Sequence, residues 1–187
     1  MKLAILGQAY LFDKSKPING SLVQLYNLSM GFSNANIEVH YITSTLDRTK
    51  LPYEFLDGIH FHWIQSSKGL LNWFKLIPHY YNILYKIHPD AVYTRGRSVL
   101  QYVPAKFTKE YKINYVWGTN GDDSAELWKN IKRLKQTNKS FIYKKLLFPL
   151  KAFEDYFINI GIRSAKIIIN QSIYQQNETK RILNKQS

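Results

Sequence analysis

Short aliphatic and β-branched runs alternate along this chain with stretches whose apolar residues recur at helical spacing, and this alternation constrains the fold more than any other feature. Strands separated by helical segments form βαβ units, in which parallel strands are joined by helices that pack on the sheet. Lys2 to Leu6 reads as the first strand, and residues 21–35 as the first helix, because Leu22, Leu25, Tyr26, Ser29 and Met30 fall on one face. Ile37 to Thr43 is a second strand. Gly58 to Ile64 alternates Ile59, Phe61 and Trp63 with His60 and His62, the pattern of a half-exposed strand. Leu70 to Ile87 is helical in pattern, and Pro78 is expected to bend or split it. Ala91 to Thr94 follows as a short buried strand, then Val99 to Tyr111 as a helix and Asn114 to Gly118 as a strand. Residues 123–136 and 149–164 read as helices separated by Thr137 to Ser140, and Lys166 to Asn170 and residues 173–184 as the last strand and helix. Nothing in the pattern is a repeat or an internal linker. The expectation is an α/β fold with a single Rossmann-like, doubly wound parallel sheet, one domain over residues 1–187.

Size and composition agree with that expectation. The chain has 187 residues, 45% of them hydrophobic, enough for one domain with a buried core and too many for a disordered chain. No apolar run approaches the roughly 18 residues that span a bilayer. Leu3 to Leu6 is too short for the apolar region of a signal peptide, so a cytoplasmic protein is expected. Cysteine is absent, which excludes disulfides, thiolate catalysis and cysteine-ligated zinc. The five histidines show no ligand spacing, and nothing near His60 and His62 completes a site, so no metal is expected.

Charge points to anionic partners. Lys and Arg total 26 against 13 Asp and Glu, a net +13, which favours nucleic acid, phosphorylated ligands or an anionic membrane surface. Between Glu126 and Glu154 lie Lys129, Lys132, Arg133, Lys135, Lys139, Lys144, Lys145 and Lys151 with no acid among them, interleaved with Phe141, Ile142, Tyr143, Leu146, Leu147, Phe148 and Leu150. Such a stretch admits two readings: a membrane-surface element that presents Lys132, Lys135, Lys144 and Lys145, or an amphipathic helix packed on the sheet with a solvated basic side. No zinc finger, RNP-type aromatic motif or basic region with heptads is present, so nucleic acid is not the expected partner.

Ligands of open α/β sheets collect at the carboxyl ends of the strands, so the loops there carry the candidate residues. Pro17-Ile18-Asn19-Gly20 leads into Ser21-Leu22-Val23-Gln24, which has the form of a capping box. Asn19 and Gly20 are either a turn before a capped helix or a loop whose backbone and helix N-terminus receive phosphate. The glycines after the first strand do not form G-x-G-x-x-G, which weighs against a nicotinamide or flavin cofactor. Tyr93-Thr94-Arg95-Gly96-Arg97-Ser98 offers the guanidinium forks of Arg95 and Arg97 to an anionic or hydroxyl-rich ligand, with Ser98 as a cap for the next helix. In Gly118 to Glu126, Asp123 fits a capping box with Glu126, which leaves Asn120 and Asp122 as candidates for chemistry. Ser172 and Gln175 form a further capping box.

In this order and spacing the motifs resemble the N-terminal domain of family 4 glycosyltransferases, retaining enzymes of the two-Rossmann GT-B architecture. The resemblance rests on Lys2 to Leu6, Pro17 to Gly20, Ile37 to Thr43, Pro89 to Arg95 and Ser164 to Ser172, and spans essentially the whole chain. It implies transfer of a sugar from a nucleotide sugar to a glycan or lipid-linked acceptor, as in cell-envelope polysaccharide or glycoconjugate synthesis; the basic stretch between Glu126 and Glu154 adds the expectation of a protein peripheral at the inner face of the membrane. The resemblance also implies a C-terminal donor-binding domain, supplied in cis or trans, and no cofactor beyond the donor itself. Gly20 would lie near the donor phosphates, and Arg95, Asn120 and Asp122 would line the acceptor cleft. Two residues depart from the family pattern: Asn19 replaces the first glycine of a Gly-Gly pair, and Asn120 stands where a histidine usually precedes the glycine. Asn120 and the need for a second domain also fit another reading, a non-catalytic binding module or one subunit of a split transferase.

Overall fold

The computed structural model describes residues 1–7, 19–69 and 71–184. Seven strands form one sheet: β1 (Lys2–Leu6), β2 (Glu38–Thr45), β3 (Tyr53–Leu56), β4 (Ile59–Gln65), β5 (Ala91–Arg95), β6 (Asn114–Gly118) and β7 (Ile167–Ile169). Their order is β3-β4-β2-β1-β5-β6-β7, and every pairing is parallel except that of β3 with β4. The chain leaves β1 toward β2 on one side and reaches β5 on the other, so the order reverses at β1. Ligand crevices of such sheets open at the carboxyl ends beside that reversal.

Helices α1 (Gly20–Asn34), α2 (Asn72–Ile87), α3 (Tyr102–Tyr111), α4 (Lys129–Gln136), α5 (Phe141–Ser164) and α6 (Ile173–Leu183) complete the fold, with a 3₁₀ turn at Val99–Gln101. The core has three parts. Leu25 of α1 packs on Leu3, Ile5, Val39, Tyr41, Phe61 and Tyr93. The opposite face carries Ala4, Leu6, Ile42 and Val92 against Leu76, Tyr80 and Leu84 of α2 and Phe107 of α3. Beyond these, Tyr115, Trp117 and Ile168 pack on Ile158 and Ile162 of α5. At Gly161 an added Cβ would come within 2.5 Å of Gln101, which is why α5 can lie so close to the 3₁₀ turn.

Several elements differ from the sequence reading, each for a local reason. Strand β3 lies outside the expected pattern; the two-residue Asp57-Gly58 loop, with both φ values positive (52° and 75°), folds it back on β4 as a hairpin. Helix α1 is capped by Asn19, whose Oδ1 accepts from Leu22 N at 3.2 Å, and not by a box beginning at Ser21. Pro78 does not split α2, although Leu70, the expected first residue, lies outside the described residues. The expected helix at 123–136 begins only at Lys129, so Asp123 is not its cap. Helix α5 starts at Phe141, capped by Ser140, and runs through Pro149, whose missing N–H costs the helix one internal bond.

Helix α5 is long for its place. Its 24 residues span about 36 Å at 1.5 Å per residue, whereas β6 has five residues and β7 three. The half from Asp155 to Ile162 packs inward, and the half from Phe141 to Leu150 overshoots. Phe141, Ile142 and Leu146 are each more than three-quarters exposed.

Candidate functional site

Four connections at the carboxyl end of the sheet are tied together by side-chain amides and one arginine. Arg95, at the end of β5, donates through Nη2 to Oε1 of Gln24 in α1 and through Nε to Oδ1 of Asn120 after β6 (3.4 Å). The same Gln24 oxygen accepts from Nε2 of Gln171, after β7, at 3.3 Å. Arg95, Asn120 and the N-terminal turn of α1 are thereby brought together, through a residue, Gln24, that the sequence offered only as part of a cap. Pro17 and Ile18 of the first loop lie outside the described residues.

The loop between Arg95 and Ser98 is held from beneath. Gly96 has φ +73°, and an added Cβ would stand 3.3 Å from Cβ of Asn120, so both the backbone angle and the space call for glycine. Its carbonyl accepts from Nε1 of the fully buried Trp117 at 2.6 Å and from the Gln101 amide, while its N–H donates to Gly118 O at 2.8 Å. Ser98 caps the 3₁₀ turn, accepting from Leu100 N at 3.1 Å, with Gln101 Oε1 accepting in return from Ser98 N.

Arg97 is turned the other way. Its side chain is only 10% exposed; Nη2 lies 3.2 Å from Oδ1 of the fully buried Asp155, and Nη1 donates to the carbonyls of Ser124 and Glu126. Burial lowers its pKa, partly offset by Asp155, Asp123 and Glu126. Asp155 also accepts from the N–H groups of Asn130 (3.2 Å) and Ile131 (3.0 Å), capping α4 from a different helix. Where the sequence offered Arg97 to an acceptor, its guanidinium binds the scaffold of the neighbouring loop. Asp155 gave no sequence signal, because its partners are 24 to 58 residues away.

Asp122 lines an open cavity of about 480 Å³ together with Asp123, Trp128, Lys132, Tyr174 and Glu178, among others. Its Oδ1 accepts from Nε2 of Gln175 at 3.2 Å. Gln175, buried, also accepts through Oε1 from Thr119 Oγ1 (2.6 Å) and Gln171 N (3.0 Å), so it fixes the β6 and β7 loops to each other. Ser172 caps α6 as its sequence indicates, accepting from Gln175 N at 3.2 Å. Asp123 pairs with Lys129 (2.5 Å) and Arg133 (3.2 Å); the Lys129 hydrogen bond is the main reason its pKa is lowered. Trp128, at the cavity rim, is 44% exposed with φ +60°, a conformation bulky residues rarely adopt. Asn19 and Gly20 sit at the α1 N-terminus, where a Cβ on Gly20 would meet nothing within 4 Å.

The basic stretch separates into two groups. Lys129, Lys132, Arg133 and Lys151 pair with Asp123, Glu126, Asp123 and Glu154. Among the described residues Lys135, Lys139, Lys144 and Lys145 form no ion pair, and all but Lys135 stand with the exposed apolar half of α5 or its cap. No helix of the described residues is long and apolar enough to cross a membrane.

A second polar cluster stands at the opposite, amino end of the sheet. His40 Nδ1 lies 3.0 Å from His62 Nε2, His40 Nε2 2.9 Å from Glu38 Oε1, and His60 Nδ1 2.8 Å from the Tyr53 hydroxyl. Burial, with the neighbouring rings of His40 and His60, pushes His62 down to about 4. Parallel pairing of β2 with β4 brings Glu38 and His40 beside His60 and His62, a juxtaposition that the sequence pattern of one strand does not show.

A family model described as glycosyl transferase 4-like matches residues 18–146, more than half of the chain. No curated protein matches it. Among solved structures the chain is similar to the UDP-GlcNAc 2-epimerase of Methanocaldococcus jannaschii, at 15% identity and TM-score 0.57, covering 97% of this chain and 42% of that one. It is similar to sucrose-phosphate synthase of Thermosynechococcus elongatus, at 10% identity and TM-score 0.59, covering 100% and 46%. A Medicago truncatula UGT complexed with UDP-glucose gives 11% identity and TM-score 0.51, over 97% and 48%. These are likenesses of fold, and the chain spans less than half the length of each structure.

Proposed function

The chain belongs to the glycosyl transferase 4-like family, and we propose that it forms the acceptor-side, N-terminal half of a retaining GT-B glycosyltransferase that moves a sugar from a nucleotide sugar to a glycan or lipid-linked acceptor. The observation that carries this reading is the Gln24–Arg95–Asn120–Gln171 network, which joins the α1 N-terminus to three carboxyl-end loops, one of which, after β6, also carries Asp122 to the wall of an open cavity. In this reading the positive end of α1, at Asn19 and Gly20, receives the donor phosphates. Arg95 offers donors to acceptor oxygens, Asp122 accepts from a sugar hydroxyl, and the exposed face of Trp128 packs against a sugar ring. Asn120 supplies an amide near the reacting sugar; it hydrogen-bonds but shuttles no proton. Arg97 serves the site indirectly, by holding the loop that carries Asp122.

Transition-state stabilisation needs preorganised groups on both sides of the reacting bond, so the donor-binding domain must come in cis or trans. Incubation with a panel of nucleotide sugars and glycan or lipid acceptors tests this. No transfer is expected from residues 1–187 alone, and transfer is expected once a donor-binding domain is supplied; turnover by the chain alone would overturn the half-enzyme reading. Asn120 favours a second reading, a non-catalytic binding module. If the completed protein binds donor and acceptor without turnover, that reading replaces the first.

The tip of α5 supports membrane contact for a lipid-linked acceptor. Phe141, Ile142 and Leu146 are exposed beside Lys139, Lys144 and Lys145, the composition of an interfacial helix. These exposed residues support a working enzyme held at the anionic inner face of the membrane.

A further inference from the structure

The cluster at the amino end of the sheet lies well away from the transfer cleft, since His40 and Thr45, five residues apart on β2, are separated by roughly 16 Å of strand. Register creates it. His40 pairs with His60 and Ile42 with His62, so the two-residue period puts Glu38, His40, His60 and His62 on one face. The hairpin adds Tyr53 opposite His62. One carboxylate oxygen of Glu38 and one ring nitrogen each of His40 and His60 all lie within 4.8 Å of one another. The His40 and His60 rings stack with centroids 4.6 Å apart.

We propose that Glu38, His40 and His60 bind a divalent transition-metal ion of the zinc type. Two imidazoles and a carboxylate, with a fourth position open to water, are a donor set suited to such an ion. Outer partners are already in place: His62 Nε2 holds Nδ1 of His40 and the Tyr53 hydroxyl holds Nδ1 of His60, so the donors toward an ion are Nε2 of His60 and Nε2 of His40, which faces Glu38 Oε1 at 2.9 Å. Such outer partners orient metal-binding histidines. His40 is buried, whereas Glu38 is solvent-exposed and gives an ion a way in. Donor–ion distances of about 2.0–2.2 Å set tetrahedral donors roughly 3.4 Å apart, so Glu38 and His40, now 2.9 Å apart, part slightly to admit the ion while the stacked His60 ring rotates toward them. Lys2 Nζ, 3.8 Å from the Glu38 carboxylate, is the cation an incoming ion displaces.

Calorimetric titration of the metal-free protein with Zn²⁺ tests the site, with Co²⁺ as a spectroscopic reporter of coordination by nitrogen and oxygen. One ion per chain and a higher melting temperature are expected. Glu38→Gln and His60→Gln should each weaken binding roughly tenfold or more, while His79→Gln and His88→Gln leave it unchanged. Glu38 is exposed, so its variant keeps the test valid even where His60→Gln fails to fold. Absence of saturable binding, or binding unchanged in Glu38→Gln, would overturn the proposal.

Discussion

At the carboxyl end of the sheet, Gln24, Arg95, Asn120 and Gln171 meet from four different segments, whereas at the amino end Glu38, His40, His60 and His62 come from two adjacent strands. The first arrangement needs a scaffold, because a loop side chain has many conformations and must be held against their entropy. Trp117 and Gln101 hold Gly96, Asp155 holds Arg97 and α4, and Gln175 holds Asp122. The second needs only register, which parallel pairing supplies. The loop-built end thus depends on buried polar residues beneath its loops, and the strand-built end does not.

Removing Asp155 tests that dependence most severely. In Asp155→Ala, Arg97 loses its charge partner in a buried setting and the N–H groups of Asn130 and Ile131 lose their acceptor. Breaking one side of a buried pair costs about 3–5 kcal/mol, so a loss of this order is expected in denaturant unfolding. A loss under about 1 kcal/mol would show that the carboxyl end holds its shape without this scaffold, and the contrast between the two ends would fail.

The same contrast explains what the sequence could show. The βαβ alternation, β1, β5, β6 and the caps at Ser98 and Ser172 are local, and hydrophobic period and capping chemistry reveal them. That Arg95 and Asn120 stand at carboxyl ends of strands is legible from the strand pattern alone. Their network is not, since Gln24 and Gln171 are 147 residues apart. Arg97 and Arg95 look alike in sequence, and only tertiary packing turns one inward. The His40–His60 pairing required knowing that β2 lies beside β4, although both strands were themselves readable. Strand β3 was missed, yet Asp57-Gly58 carried its hairpin signal. Helix α5 begins eight residues before the expected start at 149, because Ser140 caps it and the helix continues through Pro149.

The exposed tip of α5 extends the comparison from ligands to surfaces. Replacing Lys132, Lys135, Lys144 and Lys145 by Gln should release the protein from vesicles containing anionic lipid. Lys132 already pairs with Glu126, so the other three carry the effect, at about 1 kcal/mol each near an anionic surface. The expected loss is about 3 kcal/mol, on the order of a hundredfold in affinity, with little change in melting temperature. Weak binding to neutral vesicles and loss of binding at high salt should accompany it. Equal sedimentation of the unmodified protein with neutral and anionic vesicles would end the membrane reading.

A smaller effect separates the two arginines of one loop. Arg95→Ala removes contacts to Gln24 and Asn120 near the surface, so melting should change little while acceptor affinity in the completed enzyme falls about tenfold, or about 1.4 kcal/mol. If instead melting drops as for a core truncation and affinity holds, Arg95 is scaffold like Arg97.

The smallest expected effect on stability belongs to Gly20, and it bears most directly on how the carboxyl end meets its ligand. A Cβ there meets nothing within 4 Å, and its backbone is not in the left-handed region, so alanine fits the folded chain. Alanine also restricts the unfolded chain and favours helix, which should stabilise Gly20→Ala by about 0.4–1 kcal/mol. Folding alone therefore gives no reason for glycine at this first helical residue. If donor phosphates approach the α1 backbone closely, the added methyl group occupies part of their space. Nucleotide-sugar affinity of the completed enzyme should then fall even as the melting temperature rises. Opposite signs in the two measurements would mark Gly20 as a residue kept for its ligand. A rise in melting temperature with donor affinity unchanged would leave Asn19-Gly20 as a turn before a capped helix, and move the donor phosphates elsewhere along the cleft.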